Sequence, residues 1–261
     1  MTNKILFFDI DGTIYREGFG LPESTVEALK ACARNGHKLL LCTGRGHSSI
    51  PAAVRGLPFT GGVYACGTHV MVDDRVLVDA GVQGPDCRKI IDILYRNKCP
   101  FFVNNSDYIY YDPNYYPEGF DKIIQRMVKD YRGKIQPLHK LPDRLSKLTA
   151  YPRFNSLIPR IAKELSPWFD LIEHPQYAYI ELVLRGYTKG TGVELAMREL
   201  GFDRDDSYGF GDSDNDVPML DAVGHGVVMA EAPEELRSRY ACAGALQEDG
   251  LSKALRQLGL V

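Results

Sequence analysis

Several patterns that would assign this chain to a common class are missing from its sequence. The six cysteines include no Cys-x-x-Cys pair, and no apolar run is long enough to span a membrane. The formal net charge is −3, and the basic residues form no stripe. Together with the absence of a signal-peptide cleavage pattern, these features predict a cytoplasmic protein with reduced thiols and no structural zinc. They also predict that neither a nucleic acid nor a membrane is its partner.

The usual signatures of nucleotide and calcium sites are missing too. No segment matches GxxxxGK[ST] or GxGxxG, so a Walker-type or dinucleotide site lacks its motif. The segment GDSDNDVPML carries alternating acids at Asp212, Asp214 and Asp216, as an EF-hand loop does. Its sixth position is Val217, where that loop needs glycine, and its twelfth is Val223, where it needs glutamate. The sequence therefore excludes an EF-hand.

Strand and helix patterns alternate in the first and last thirds of the chain. ILFFD, KLLLCTG and SYGFGD are apolar runs without alternation, which is typical of strands buried on both faces of a parallel sheet. The segments 21–36 and 191–201 have apolar residues at helical spacing, and MVDDRVLVD is typical of a hairpin that turns at Asp73-Asp74. The pattern predicts an α/β fold with a doubly wound parallel sheet, built from residues 1–82 and 185–261.

The middle of the chain, residues 83–184, has a different composition. It is rich in Tyr, Pro and Asn, as in NNSDYIYYDPNYYPEGF. Apparent helices near 117–131 and 156–166 are interleaved with alternating strands such as YIELVLR. We expect a separate α+β domain that is inserted into the core. Because both of its ends join the core, we expect hinge-like closure over a site.

Four short fragments place chemically active residues at predicted strand ends or helix starts. They are DIDGT (9–13), TGR (43–45), Lys189 in YTKGT, and GDSDND (211–216). Parallel strands bring their carboxyl ends to one edge of the sheet, so these fragments should meet there. Gly12 predicts a turn of the chain directly after the two acids of the first fragment.

The residue types in these fragments predict a site for a metal ion and a phosphate group. Clustered carboxylates require a cation, and an oxygen-rich site suits Mg²⁺. The hydroxyl of Thr43 and exposed backbone N–H groups at Thr43 and Gly44 would suit a phosphate group. Lys189 would add positive charge to the phosphate oxygens and to Asp9.

In this order, the four fragments resemble the haloacid dehalogenase-like (HAD) phosphohydrolase superfamily. The insertion between the second and third fragments is similar to a type IIB cap of the Cof-like subfamily, and the tail QEDGLSKAL also resembles Cof-like proteins. The chain departs from that subfamily at Cys66-Gly67, where Asn-Gly is usual, and at Glu231, where Asn is frequent. The resemblance implies a Rossmann-like core that carries residues 83–184 as a cap for substrate selection.

The resemblance also implies a role for each motif residue. Asp9 resembles the nucleophile that forms an aspartyl-phosphate, and Asp11 resembles the general acid and base. The implied Mg²⁺ ligands are a carboxylate oxygen of Asp9, the backbone carbonyl of Asp11, and Asp212, with Asp216 supporting them. The implied phosphate- and substrate-binding residues are Thr43, Gly44, Lys189 and Asn215.

The implied function is that of a Mg²⁺-dependent phosphatase, and a chain of 261 residues with a closing cap suits a monomer. Its substrates would be small-molecule phosphate monoesters, hexose phosphates above all. Two alternatives stay open on the motifs. A phosphosugar mutase or phosphotransferase would pass the same aspartyl-phosphate to a sugar, and a non-catalytic sensor would bind Mg²⁺ or a phosphate ligand without turnover.

A few further residues admit two interpretations. Arg45 is either half of a structural ion pair or a functional residue, and Glu181 is a packing residue or a substrate contact. We expect Asp214 to be a solvated turn residue. The tyrosines that either line a sugar site or pack on strand faces are Tyr108, Tyr110, Tyr111, Tyr115 and Tyr116.

Overall fold

The structure is a computed structural model that describes residues 3–115, 120–131, 133–174 and 179–261. The chain divides into two compact units. The core unit comprises the chain up to Gly44, Ala52–Val78 and Thr188–Val261, and the inserted unit comprises Arg45–Pro51 and Asp79–Tyr187. The predicted boundaries at 83 and 184, and the role of the insertion as a cap, stay predictions.

The elements of both units are numbered along the chain. The strands are β1 (Ile5–Phe8), β2 (Lys38–Cys42), β3 (Gly61–Tyr64), β4 (His69–Val72), β5 (Arg75–Asp79), β6 (Val82–Gln83), β7 (Phe101–Asn104), β8 (Ile109–Tyr111), β9 (Ile135–Pro137), β10 (Arg144–Leu145), β11 (Lys147–Ala150), β12 (Phe169–His174), β13 (Tyr179–Leu184), β14 (Ser207–Gly211), β15 (His225–Val228) and β16 (Ala241–Cys242). The α-helices are α1 (Glu23–Arg34), α2 (Ala52–Arg55), α3 (Pro85–Arg96), α4 (Asp121–Asp130), α5 (Ile158–Leu165), α6 (Lys189–Leu200), α7 (Val217–Ala222), α8 (Glu234–Arg239) and α9 (Gly250–Gln257).

The core unit is built on a sheet of eight described strands in the order β16-β15-β14-β1-β2-β3-β4-β5. Neighbouring strands from β16 to β3 are parallel, and β4 runs antiparallel to β3. Ile5 and Phe7 of β1 pack with residues of α6. Leu6 and Phe8 point to the opposite face and are equally buried. Burial on both faces explains why this strand shows no polar alternation, and the predicted α/β class is confirmed.

Local sequence signals predicted several element boundaries correctly. Helix α1 begins directly after Pro22 and ends at Arg34, with Asn35 as its C-cap, and Gly36 follows with a φ of +87°. Strands β4 and β5 are neighbours in the sheet, joined at Asp73 and Asp74, whose φ values are +46° and +62°. The predicted hairpin is confirmed, because aspartate is among the few residue types that tolerate a left-handed backbone in a tight turn.

The inserted unit is an α+β structure. Its main sheet has the order β12-β13-β11-β7-β8-β9, and its described pairs are antiparallel except for β8 with β9. Val103 of β7 belongs to a hydrophobic cluster with residues of α3 and α5, whereas Phe102 packs with Ile124 of α4. Because adjacent strand residues point to opposite faces, helices cover this sheet on both sides. The predicted helices near 117–131 and 156–166 correspond to α4 and α5, although residues 117–119 lie outside the described part of the chain.

The described helices were compared with the length and apolarity of a membrane span. Not one of them combines the length and the apolar composition that crossing a bilayer requires.

Candidate active site

Asp9 and Asp11 lie just beyond β1, where the chain makes a tight turn. The amide of Asp9 donates to the carbonyl of Phe210 in β14 at 2.9 Å. Gly12 has a φ of +86°, and a Cβ at this position would lie 2.2 Å from Oδ2 of Asp212. Glycine is therefore required both by the backbone conformation and by the close approach of the Asp212 carboxylate. The predicted turn is confirmed.

The start of helix α6 holds Lys189 in a fixed position. Thr188 caps the helix, since its hydroxyl accepts from the amide of Thr191 at 3.1 Å and its amide donates to the Thr191 hydroxyl at 3.0 Å. The backbone of Thr188 also packs against Gly67, where a Cβ would lie 2.3 Å from the Thr188 carbonyl oxygen. Lys189 is the first helical residue, and its side chain has no exposed surface.

The ammonium group of Lys189 is surrounded by three acceptors. Nζ donates to Oδ1 of Asp9 at 2.7 Å and to Oδ1 of Asp216 at 2.6 Å. It also donates to the amide oxygen of Asn215 at 2.9 Å. An ammonium carries three N–H donors, so these contacts engage all of them. Lys189 thereby links the end of β1 to the loop after β14.

Asp216 fixes that loop from the inside. It is fully buried, and its Oδ2 accepts from the amides of Asp212 at 3.0 Å and Ser213 at 3.1 Å. A Cβ on Gly211 would lie 2.4 Å from Cγ of Asp216, so glycine is needed at that position for the loop to close. With one oxygen bound to Lys189 and the other to backbone amides, Asp216 orients the carboxylate of Asp212.

Three carboxylates converge beside the lysine. Asp9, Asp212 and Asp216 each offer an oxygen, and these oxygens all lie within 4.8 Å of one another. Thr13 is buried next to them, with its hydroxyl 3.5 Å from Oδ1 of Asp212. The side chain of Asp11 is exposed and lies outside this group. The carboxylate oxygens that the sequence predicted as metal ligands therefore come from Asp9 and Asp212, with Asp216 beside them.

The electrostatics of the cluster favour a bound cation. Burial raises the pKa of Asp9 well above its usual value, against the opposing effect of Lys189. Burial and the Asp216 carboxylate raise the pKa of Asp212 to about 7. Burial alone would lower the pKa of Lys189, but Asp216 and Asp9 outweigh it and raise that pKa well above its usual value. A divalent cation would displace protons from such carboxylates, and the all-oxygen donor set suits Mg²⁺.

One expectation about the phosphate site is corrected. The sequence predicts exposed backbone N–H groups at Thr43 and Gly44, before a helix. The amide of Thr43 instead donates to the carbonyl of Val63 at 2.8 Å, because the parallel pairing of β2 with β3 continues to this residue. A short 3₁₀ helix does follow, at His47–Ser49. Thr43 can therefore contribute its hydroxyl to a phosphate but not its amide.

The residues with two interpretations are now placed. Arg45 belongs to the inserted unit, where Nη1 donates to the Tyr131 hydroxyl at 2.8 Å. Glu181 forms an ion pair with Lys147 at 2.8 Å, also in the inserted unit. Asp214 is exposed, as expected. Of the tyrosine cluster, Tyr116 lies outside the described residues.

Several residues that shape the site have no role predicted from the sequence. The Thr13 hydroxyl lies 3.5 Å from Oδ1 of Asp212, and the amide of Ser213 donates to Oδ2 of Asp216 at 3.1 Å. Cys66 has a φ of +55° and donates its amide to the Thr43 carbonyl at 3.1 Å, so this departure from the Cof-like pattern lies in a strained turn beside the site. Glu231, the other departure, pairs with Arg16 at 3.1 Å. Gly67 has a φ of +96°, and its glycine in the sequence is a signal that could have predicted this left-handed turn.

Known proteins match this chain over nearly its whole length. The family model described as haloacid dehalogenase-like hydrolase matches residues 6–255. YkrA of Bacillus subtilis (strain 168) is 27% identical over 271 residues, with full coverage of both chains. Pyridoxal phosphate phosphatase YbhA of Escherichia coli (strain K12) is 22% identical over 254 residues, covering 92% of each chain.

Solved structures share the fold over the same extent. The HAD subclass IIB sugar phosphatase BT4131 superimposes with a TM-score of 0.83 at 23% identity and covers 99% of this chain and 100% of its own. At that identity the likeness concerns the fold. It extends over both the core unit and the inserted unit, because nearly all of both chains is covered.

Proposed function

Because the chain belongs to the haloacid dehalogenase-like hydrolase family, we propose that it is a Mg²⁺-dependent phosphatase of small phosphorylated metabolites, with hexose phosphates as the first substrates to test. The predicted family, and the prediction of a hydrolase, are confirmed by the match over residues 6–255. The metal, the substrate class and the covalent intermediate are the proposed parts. The monomeric state and the cytoplasmic location stay predictions.

The observation that carries the proposal is the contact of Lys189 with Asp9. A buried ammonium 2.7 Å from Oδ1 of Asp9 holds that carboxylate in one orientation. It also supplies positive charge where a phosphoryl group would approach. A carboxylate held in this way suits nucleophilic attack on phosphorus, because the lysine reduces repulsion between two anions.

The residues present fit a magnesium ion. Asp9, the backbone carbonyl of Asp11 and Asp212 would hold it, and Asp216 would keep Asp212 oriented. When bound, the ion would offset the negative charge of the phosphate and of the carboxylates.

We assign the two chemical steps to the two acids of the first fragment. In the first step, a carboxylate oxygen of Asp9 bonds to phosphorus, and the bond from phosphorus to the leaving alkoxide breaks. The Asp11 carboxyl gives its proton to that alkoxide. In the second step, Asp11 takes a proton from water, and the resulting hydroxide displaces the Asp9 carboxylate from phosphorus. Inorganic phosphate leaves, and both acids return to their starting states.

Binding of phosphate requires an exchange at Lys189. All three donors of its ammonium are engaged, by Asp9, Asp216 and Asn215. The contact with Asn215 is the one to a neutral acceptor and is therefore the weakest of the three. A phosphate oxygen would replace the Asn215 amide oxygen, while Thr43 offers its hydroxyl and Gly44 a glycine backbone to the same group.

The test is release of inorganic phosphate with and without Mg²⁺ across hexose, pentose, polyol and nucleoside monophosphates. We expect Mg²⁺-dependent release. Asp9→Asn should lower kcat by more than about 1000-fold, and Asp11→Asn by about 100- to 10,000-fold. Asp214→Asn is the matched control, because Asp214 is exposed in the same acidic segment as Asp212, and it should keep normal activity.

Three results would contradict the proposal in different ways. Unchanged release by Asp9→Asn would remove the nucleophile assignment. Little release together with transfer of phosphate between positions of a sugar, dependent on a bisphosphorylated sugar, would identify a mutase. Saturable binding of phosphate monoesters by a folded protein, with no release from any of them, would identify a sensor.

A further inference from the structure

The inserted unit contains a cavity of about 140 Å³ on one face of its main sheet. Phe102 and Tyr151 form aromatic walls, and Met127 of α4 closes one side. Its polar lining includes Arg45 and Lys147, together with Tyr131. All of these residues belong to the inserted unit, so the cavity lies within that unit.

Lys147 is an unusual residue for such a wall. Its side chain is only 8% exposed, and burial of an ammonium is costly unless an anion compensates for it. Glu181 lies 2.8 Å away in β13, and His174 lies 3.6 Å from the other carboxylate oxygen of Glu181. Burial acts to raise the pKa of Glu181, but Lys147 and His174 outweigh it and lower that pKa to about 2. Glu181 is therefore ionised and keeps Lys147 in place, and Glu181 itself does not line the cavity.

Arg45 is held on the cavity by the segment that follows it. Nη1 donates to the carbonyl of Ser49 at 3.2 Å and to the hydroxyl of Tyr131 at 2.8 Å. These bonds orient the planar guanidinium, which matches the geometry of carboxylate and phosphate oxygens. In the sequence, Arg45 comes directly after Thr43 and Gly44, the residues proposed for the transferred phosphate.

The lining is strongly biased toward hydrogen-bond donors. It contains one guanidinium and one ammonium, and the described residues that line it include neither aspartate nor glutamate. The hydroxyl groups of Tyr131 and Thr149 can also donate, and the side-chain amide of Asn104 offers both donors and an acceptor. The Ser49 hydroxyl donates to the Gly46 carbonyl at 2.9 Å. A neutral sugar presents donors and acceptors in equal measure, whereas this cavity offers mainly donors and positive charge.

We propose that this cavity binds an oxyanionic group of the leaving portion of the substrate, a carboxylate or a second phosphate, with Arg45 and Lys147 as the residues that recognise it. The inference rests on the proposed phosphatase function and narrows its substrate class. Size supports it, since a cavity of about 150 Å³ holds roughly one six-membered ring. A carboxylate with a few carbon atoms, or one phosphate group, fills a similar space.

The experiment compares substrates that differ in one charged group. Glucose 6-phosphate is paired with 6-phosphogluconate, and fructose 6-phosphate with fructose 1,6-bisphosphate. Release of phosphate gives kcat/KM for each compound. Titration calorimetry on the full chain carrying Asp9→Asn gives Kd in the absence of turnover. We expect a preference of about 10-fold or more for at least one oxyanionic member, because charge-assisted hydrogen bonds supply it. The pair that shows the preference distinguishes carboxylate from phosphate.

Variants assign that preference to the cavity. Lys147→Met should lower kcat/KM for the oxyanionic substrate by about 10- to 100-fold, and kcat/KM for its neutral partner by less than about 3-fold. Lys147→Arg keeps the charge and should retain most of the preference. Lys163→Met removes an exposed lysine of α5 outside the cavity, and it should leave the preference for the oxyanionic substrate unchanged in both substrate pairs. If Lys147→Met fails to fold because Glu181 loses its partner, Lys147→Met combined with Glu181→Gln removes both charges and serves the same comparison.

The outcomes separate this proposal from the one on which it rests. Release of phosphate from neutral and oxyanionic substrates at equal kcat/KM overturns the oxyanion site and leaves the phosphatase intact. Absence of release, with Kd still favouring the oxyanionic member in a Lys147-dependent way, overturns the phosphatase and leaves the site intact. A preference that Lys147→Met and Lys163→Met leave equally unchanged also overturns the assignment.

Discussion

Gly12→Ala tests whether the turn after β1 sets the position of the Asp212 carboxylate. The added methyl group would lie 2.2 Å from Oδ2 of Asp212, so the carboxylate has to move by about 1 Å to restore an ordinary contact. The backbone of residue 12 also has a φ of +86°, which disfavours alanine. Gly18 is the matched control, because its φ is +81° and a Cβ there meets no atom within 4 Å.

The magnitudes follow from these two contributions. Alanine in a left-handed conformation costs roughly 1–2 kcal/mol, and this applies to both variants. Crowding of Asp212 adds about 1–3 kcal/mol in Gly12→Ala alone. We therefore expect the free energy of unfolding to fall by about 2–5 kcal/mol in Gly12→Ala and by about 1–2 kcal/mol in Gly18→Ala.

Two assays separate stability from the metal site. Urea unfolding with and without Mg²⁺ measures the stabilisation by the metal, which is about 2.7 kcal/mol when Mg²⁺ is at roughly 100 times its Kd. Gly12→Ala should lose much of this stabilisation, and its kcat should fall about 100-fold because a catalytic group is displaced by about 1 Å. Gly18→Ala should keep both. Equal losses in the two variants, or full Mg²⁺ stabilisation of Gly12→Ala, would refute the argument that Gly12 positions Asp212.

Further predictions concern buried charges. Lys189→Met leaves buried carboxylates without their cation, and should lower the free energy of unfolding by about 3–5 kcal/mol in urea titrations at neutral pH. Glu181 has a folded pKa of about 2, below its ordinary 4.5, so its ion pair contributes about 3 kcal/mol above pH 4.5, which is lost as the pH falls toward 2. The stability difference between wild type and Glu181→Gln should therefore shrink over that range, with the exposed Glu173→Gln as the matched control. Burial lowers the pKa of His37, so the fold favours the neutral ring and loses stability as the pH falls below 6.5. His37→Gln should reduce that loss in urea titrations, with the exposed His139→Gln as the matched control.

The sequence was most informative where one local rule determines the geometry. Asp9 and Asp212 were expected to meet because acids at the ends of parallel strands share one edge of a sheet, and their oxygens do lie within 4.8 Å. The glycine at position 12 predicted the turn after Asp11, where the backbone has a φ of +86°. The start of α6 placed Lys189 beside the acids.

Where long-range packing decides, the sequence was less informative. The amide of Thr43 is taken by β3, and nothing in TGR indicates how far that pairing continues. The segment Arg45–Pro51 belongs with the inserted unit although residues on both sides of it belong to the core unit. The ion pair of Lys147 and Glu181 joins positions far apart in sequence, and no period or motif links them.

The ion pairs of Lys189 compensate the buried carboxylates of the site, so we expect folding not to depend on a bound metal ion. In a zinc finger, metal binding supplies the free energy of folding, so the apoprotein is unfolded. Here the chain carries its own counter-ion, fully buried between Asp9 and Asp216. We therefore expect the chain to fold without the proposed Mg²⁺ ion, and the ion to bind to the folded protein. A chelator should stop turnover while the circular dichroism spectrum stays unchanged, and added Mg²⁺ should restore activity with no refolding step.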